Sequence, residues 1–144
     1  MNLTIYSQSG LQLKTTTDLV VIPGLNGDIG IESSERVLVY LLKAGVIYIF
    51  ENNKVKDRYF IYSGQFLAKD NELTITIEGD LINLSKINKD EIIQKINTLK
   101  ETLKETLKET LTKTNTEDEF KTNFYQTLLT NEELLLTSLT ESNY

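Results

Sequence analysis

The spacing of apolar residues changes once along this 144-residue chain, near Gly79 and Asp80. Before that point, short runs rich in Val, Ile, Tyr, Phe and Thr are separated by Gly, Asn and Asp, a pattern typical of an all-β sandwich or barrel. After it, aromatic residues become sparse and apolar residues recur every three or four positions, as on one face of a helix. The sequence therefore predicts an α+β chain in two parts, an antiparallel β-sandwich over residues 1–80 and a helical part over residues 86–144.

The β part is expected to contain nine strands joined by tight turns. The pairs Asn52-Asn53 and Asp70-Asn71 tolerate a positive φ, so each predicts a hairpin turn. Residues 46–50 are apolar at consecutive positions, which predicts a strand that is central in the sheet or covered by a partner. The predicted strands cover residues 3–7, 11–16, 19–22, 28–31, 37–43, 45–51, 54–61, 65–69 and 73–78.

Two amphipathic helices are predicted in the second part, with Asn88 and Thr116 as their N-caps. Only Thr114 and Asn115 clearly lie between them, and so short a connection predicts an antiparallel hairpin. Residues 86–113 hold seven Lys against five acidic residues, whereas residues 114–144 hold one Lys against six, so the helices are also complementary in charge. The apolar stripes comprise Ile92, Ile96, Leu99, Leu103, Leu107 and Leu111 on the first helix, and Phe120, Phe124, Leu128, Leu135 and Leu139 on the second.

The composition excludes most catalytic classes. The chain has no Cys and no His, which removes thiolate nucleophiles, Ser-His triads, His bases and nearly every zinc site. The carboxylates of residues 117–119 and 132–133 lie at a helix start and on a helix surface, and they predict no catalytic pair. We therefore expect a protein that is not an enzyme, has no cofactor or metal, and acts through its surfaces.

Charge and hydropathy narrow the range of partners. The net charge of −6 argues against nucleic acid, which requires a basic face. The longest apolar region, residues 37–50, is interrupted by Lys43 and Gly45 and is shorter than the roughly 20 residues that a spanning helix needs. We therefore expect neither nucleic-acid binding nor direct insertion into a membrane.

A glycine-rich stretch, Val20-Val-Ile-Pro-Gly-Leu-Asn-Gly-Asp-Ile-Gly-Ile31, joins two of the predicted strands. Gly24, Gly27 and Gly30 free the backbone for a positive φ, and Pro23 is expected to end the preceding strand. A phosphate-binding loop would end in Gly-Lys-Ser/Thr and lead into a helix, whereas this chain returns to a strand. The stretch therefore predicts a turn between two strands.

Three blocks of sequence together resemble the epsilon subunit of the rotary ATP synthases, whose mitochondrial counterpart is called delta. They are Pro-Gly-x-x-Gly-Asp-x-Gly-Ile at residues 23–31, Lys-Ala-Gly-Val-Ile-Tyr-Ile at 43–49 and Tyr-Phe-Ile-Tyr-Ser-Gly-Gln-Phe-Leu at 59–67, in the family's order and at about its spacing. The resemblance covers residues 1–79. It departs from the family at one segment, where Ser33-Ser-Glu-Arg-Val37 stands in place of Pro-Gly-His-Ala-Pro.

The resemblance implies a non-catalytic rotor subunit that couples the membrane ring of c subunits to the gamma subunit, at the cytoplasmic face of the bacterial plasma membrane. It implies that the glycine turn faces the polar loops of the c-ring and that one side of the sandwich faces gamma. Asp28 also fits a purely structural role, because Asp favours turns. The residues implied are Asn26, Gly27 and Asp28 for the c-ring, and Ser63, Tyr40 and Glu35 for gamma, with Glu35 in place of a family His.

The resemblance also implies a regulatory role for the hairpin. In bacterial relatives the hairpin opens so that its second helix meets an acidic segment of the catalytic alpha and beta subunits. The second helix of this chain is itself acidic, and like charges across an interface cost free energy, so the sequence predicts weak inhibition of ATP hydrolysis. An alternative from another class is a free-standing ligand-binding β-sandwich with a helical dimerisation hairpin.

Overall fold

The computed structural model describes residues 1–112 and 116–140, and the side chains of residues 1–105 and 123–140. Contacts between Cα atoms divide the chain into two compact units, a strand unit over Met1–Ile87 and a helix unit that begins at Asn88. The connection predicted at Thr114 and Asn115 lies outside the described residues.

The strand unit contains each of the nine predicted strands, with ends that agree to within two residues. The sequence pattern does not predict a tenth strand, which is only two residues long. The strands are β1 (Asn2–Ser7), β2 (Gly10–Thr16), β3 (Leu19–Gly24), β4 (Gly27–Ile31), β5 (Leu38–Leu42), β6 (Gly45–Glu51), β7 (Lys54–Ile61), β8 (Ser63–Lys69), β9 (Glu72–Glu78) and β10 (Ile82–Asn83).

The strands form a sandwich whose two layers are joined through β3. The strand order is β10-β7-β6-β3-β5-β8-β9-β1-β2, with β4 paired to β3. The first half of β3 pairs with β6, whereas Gly24 at its end pairs with Leu42 of β5. The sheet is antiparallel as predicted, apart from one parallel pair formed by β1 and β9. The run of residues 46–50 is central, as predicted, since β6 lies between β7 and β3.

Pro23 lies inside β3, so the expectation that it ends this strand is wrong. At this point β3 passes from β6 to β5, and among the described strands Ile22 and Pro23 have no partner on that side. The missing N–H of proline therefore interrupts no ladder hydrogen bond there. The carbonyl oxygen of Pro23 accepts a hydrogen bond from the backbone N–H of Lys43 at 3.0 Å.

Side chains from both layers fill one apolar core. In β9 the predicted alternation is confirmed, because Leu73, Ile75 and Ile77 are buried. Burial raises the pKa of the Tyr59 hydroxyl above its ordinary value, and the neighbouring Asp57 carboxylate raises it further. The core consists of Leu3, Ile5, Val20, Ile22, Ile31, Leu42, Ile47, Ile49, Tyr59, Ile61, Phe66, Ala68, Leu73, Ile75 and Ile77.

The two hairpin turns predicted from Asn and Asp pairs are confirmed. Asn52 and Asn53 have φ angles of 54° and 62°, and Asp70 and Asn71 have φ angles of 51° and 62°. These are left-handed conformations that Asn and Asp tolerate better than most residues. The turns join β6 to β7 and β8 to β9.

The helix unit is a pair of packed helices, α1 (Lys89–Thr112) and α2 (Thr116–Thr140). Asn88 is the predicted N-cap of α1, and its Oδ1 accepts a hydrogen bond from the backbone N–H of Asp90 at 2.9 Å. The predicted charge complementarity has a direct contact, since the Lys100 ammonium lies 3.8 Å from Glu133 Oε1. The side chains of the predicted cap at Thr116 lie outside the described residues.

The predicted apolar stripe of α2 is wrong at Phe124, which is 54% exposed. Leu135 is fully buried, and Leu128 and Leu139 are partly buried, so these positions define the inward face. At about 100° per residue, Phe124 lies about 40° from the centre of that face and Tyr125 about 60° from it, so helical periodicity alone does not explain the exposure of Phe124. Tyr125 is nevertheless the more buried of the two aromatic residues. The side chains of Leu107, Leu111 and Phe120 lie outside the described residues.

Candidate functional site

The layer that contains β5, β8 and β9 carries an apolar surface without charge on its outward side. Val39 is 65% exposed, Leu41 is 55% exposed and Leu67 is 48% exposed. The pairing of β5, β8 and β9 places these three side chains beside Gln65 and two Thr side chains. Exposed apolar groups that gather on one surface mark interaction sites. We call this surface the uncharged face, and it consists of Val39, Leu41, Gln65, Leu67, Thr74 and Thr76.

The uncharged face exists because β5 is apolar on both of its sides. Leu42 points into the core, and Tyr40, on the same side, packs near Phe66 with 6.1 Å between ring centroids. Val39 and Leu41 therefore point outward. Of the positions implied for gamma, Tyr40 thus faces the core, and its two neighbours provide the exposed surface.

A cleft of about 480 Å³ lies at one end of the uncharged face. Among the described side chains that line it, Glu78 is the one that carries a charge. Ser63 Oγ donates a hydrogen bond to Glu78 Oε2 at 3.0 Å, and Glu78 is exposed at the side of the cleft. The cleft is lined by Ser7, Gln8, Leu25, Leu41, Leu42, Ser63, Gly64, Gln65, Thr76, Ile77 and Glu78.

The cleft requires glycine at position 64. A Cβ added to Gly64 would lie 2.6 Å from the carbonyl oxygen of Thr76 and 3.3 Å from Ile77 Cγ2. The first contact is with backbone, which cannot move aside as a flexible side chain can. Gly64 therefore lets β8 pair closely with β9 where the two strands line the cleft.

The glycine turn ends beside the same cleft. Asn26 and Asp28 are exposed, and Gly27 is the one glycine of the stretch with a positive φ, 130°. Leu25 is 57% exposed and lines the cleft together with Ser63. The fold thus brings the turn implied for the c-ring close to one of the residues implied for gamma.

Glu35 lies away from the cleft and the glycine turn. It is exposed in the segment between β4 and β5, next to the buried Ser34. The backbone N–H of Ser34 donates to Asn71 Oδ1 at 2.9 Å, and its carbonyl oxygen accepts from the Asn71 N–H at 2.9 Å. Ser63 begins the seven-residue β8 and Asn71 follows its end, which separates the two by about 20 Å at the rise of a strand. The fold therefore does not gather Ser63, Tyr40 and Glu35 at one place.

Two further observations concern the described part of the chain. No helix within it is long and apolar enough to cross a membrane. No group of three acidic, His or Cys side chains within it is arranged to hold a metal ion.

Fold and site together define a protein in two units, whose strand unit exposes an apolar face and an adjoining cleft. Residues 1–79 match the family described as "ATP synthase, Delta/Epsilon chain, beta-sandwich domain". The match covers more than half of the chain, and the chain belongs to this family.

Individual relatives agree with this assignment. The chain is 29% identical over 82 residues to the ATP synthase epsilon chain of Pelagibacter ubique, which covers 57% of this chain and 62% of the relative. It is 28% identical over 100 residues to the epsilon chain of Campylobacter fetus, which covers 69% and 77%. Across three of the epsilon chains that it matches, the aligned region spans between 47% and 62% of the relative's own length.

A solved structure shares the fold. A chain in the cryo-EM structure of the Euglena gracilis mitochondrial ATP synthase, OSCP/F1/c-ring in rotational state 1, superimposes with a TM-score of 0.71 at 19% identity. The superposition covers 95% of this chain and 79% of that chain. At this level of identity the likeness concerns the fold alone.

Proposed function

We propose that this chain is a central-stalk rotor subunit of the proton-translocating ATP synthase, which couples the c-ring to the gamma subunit and has no catalytic residues of its own. The family match of residues 1–79 and the names of the relatives, ATP synthase epsilon chains, support this proposal. The strand unit is then the part that binds stalk and ring, and the helix unit is the regulatory part, whose acidic second helix inhibits only weakly at the catalytic alpha and beta subunits. The subunit works at the cytoplasmic face of the bacterial plasma membrane, held there by the complex.

The observation that carries the proposal is the uncharged face. Val39, Leu41 and Leu67 remain exposed although each would gain about 1–2 kcal/mol from burial of the part that is still exposed. None of the six side chains of this face is charged, and the charged side chains on the same side of β8 and β9, Lys69, Glu72 and Glu78, lie at the ends of these strands. A partner therefore covers the centre of the face without desolvating an ion. The gamma subunit is the partner of the family's sandwich that binds side-on, and this face is the surface on which it would pack.

The glycine turn is the surface for the c-ring in this proposal. Asn26, Gly27 and Asp28 are at least partly exposed at its tip, where a carboxylate, an amide and backbone groups are within reach of polar loops. Because Leu25 of this turn also lines the cleft, the two partners would meet at that end of the strand unit. A free-standing ligand-binding sandwich is the less favoured alternative, since it leaves the family match unexplained.

Capture by recombinant gamma subunit tests the proposal. We expect the full chain to bind gamma, and Val39→Asp combined with Leu67→Asp to weaken binding at least about tenfold, because two charges would be buried in an apolar interface. The matched control is Asn53→Asp, which adds a charge at an exposed turn with a φ of 62° that Asp tolerates. Failure of the unmodified chain to bind gamma, or unchanged binding by a folded double variant, would contradict the proposal.

A further inference from the structure

The cleft beside the uncharged face combines apolar side chains, uncharged polar side chains and one carboxylate. Leu25, Leu41 and Ile77 supply apolar lining, and Glu78 supplies the charge. The hydrogen bond from Ser63 Oγ to Glu78 Oε2, at 3.0 Å, holds the carboxylate in place without neutralising it. The cleft therefore offers apolar contacts beside a single negative charge.

We infer that this cleft receives the side chain of a Lys or Arg from the partner that covers the uncharged face. Lys and Arg carry an apolar stem and a cationic tip, which match the wall of the cleft and the Glu78 carboxylate respectively. An acidic side chain would be repelled there. An apolar side chain would remove water from Glu78 and leave its charge without a partner, which costs free energy.

Continuity of the surface identifies the partner. Leu41, Gln65 and Thr76 line the cleft and also belong to the uncharged face. A protein that packs on the face therefore reaches the cleft with the same segment. This inference rests on the proposed function, in which that protein is the gamma subunit, and it adds a single cationic anchor to an otherwise uncharged contact.

The test measures the affinity of the full chain for recombinant gamma at low and at high salt. Glu78→Gln removes the charge and keeps the shape of the side chain and an acceptor for Ser63. Glu72→Gln is the matched control, because Glu72 lies on the same strand at the opposite end, away from the cleft. We expect Glu78→Gln to weaken binding about five- to tenfold at low salt and to reduce the salt dependence, as loss of one ion pair does.

The outcomes separate the two proposals. Equal affinity and equal salt dependence for Glu78→Gln and Glu72→Gln, while the unmodified chain binds gamma, would overturn the cationic anchor and leave the rotor function standing. No binding by the unmodified chain would overturn both. If binding lost in Glu78→Lys is restored by replacing one basic residue of gamma with Glu, that residue is the occupant of the cleft.

Discussion

At the scale of single residues, two glycines of the strand unit differ in whether an added side chain would fit. Gly64 has an ordinary φ, so its need for glycine comes from the close approach of β9 and not from backbone conformation. Gly30 differs, because a Cβ there would meet only Leu19 Cδ1, at an ordinary 3.6 Å. The two glycines therefore have opposite tolerance to alanine although both lie in strands and both belong to the family-like blocks.

Alanine substitution tests this difference. We expect Gly64→Ala to lower the free energy of unfolding by about 1–3 kcal/mol, the usual cost of overpacking. We expect Gly30→Ala to change it by less than about 0.5 kcal/mol, because the added methyl group has room and alanine restricts the unfolded chain. Urea unfolding of the full chain, followed by tyrosine fluorescence, measures both. Equal losses for the two variants would show that the close approach at Gly64 does not set its stability.

At the scale of elements, two apolar residues of α2 differ in burial. Leu135 is fully buried, whereas Phe124 is 54% exposed. We expect Leu135→Ala to destabilise the helices by about 2–5 kcal/mol and Phe124→Ala to cost less than about 1 kcal/mol. Thermal unfolding followed by far-UV circular dichroism compares them. A larger loss for Phe124→Ala would mean that the stripe predicted from the sequence, with Phe124 on the inner face, is correct.

Much of the fold follows from local pattern. Alternation, Asn and Asp turn pairs and the change in apolar spacing predict the nine longer strands, both hairpin turns and the pair of helices. β10 is too short to show a period, since it has two residues. The parallel pairing of β1 with β9 joins segments about 70 residues apart, and no local feature of either strand specifies it.

The site was less accessible to sequence reasoning than the fold. Residues 38–42 are all apolar or aromatic, so alternation does not tell which of them face the core. The pairing of Tyr40 with Phe66 shows that Tyr40 faces the core. This pairing joins two strands that are not adjacent in the chain. The one available signal is that a strand apolar on both sides must have a covered outer face, the same argument that predicts a central β6.

At the scale of the whole molecule, the two units depend on different forces. The strand unit has its own apolar core and contains every residue proposed to contact gamma or the c-ring. The helices meet through an apolar face and through the pair Lys100 and Glu133, whose side chains are 54% and 50% exposed. Because this ion pair is so exposed, it contributes at most about 1 kcal/mol to stability, and salt screens it. Apolar packing therefore contributes most of the stability of the two paired helices.

Removal of the helix unit tests which unit is needed for assembly and coupling and which affects hydrolysis. We expect a chain ending at Ile87 to assemble into reconstituted ATP synthase and to keep proton pumping coupled to ATP hydrolysis, because the uncharged face, the cleft and the glycine turn all remain. Hydrolysis should change by less than about twofold, since α2 carries Lys121 against Glu117, Asp118, Glu119, Glu132 and Glu133, and an acidic helix gains nothing from an acidic partner segment. The control is the full-length Val39→Asp, Leu67→Asp variant, which should fail to assemble. Loss of coupling with a folded strand unit would show that the hairpin is part of the rotor contact. A several-fold rise in hydrolysis would show that α2 inhibits through its uncharged Thr, Asn and Leu positions, and that its net charge is not what decides the contact.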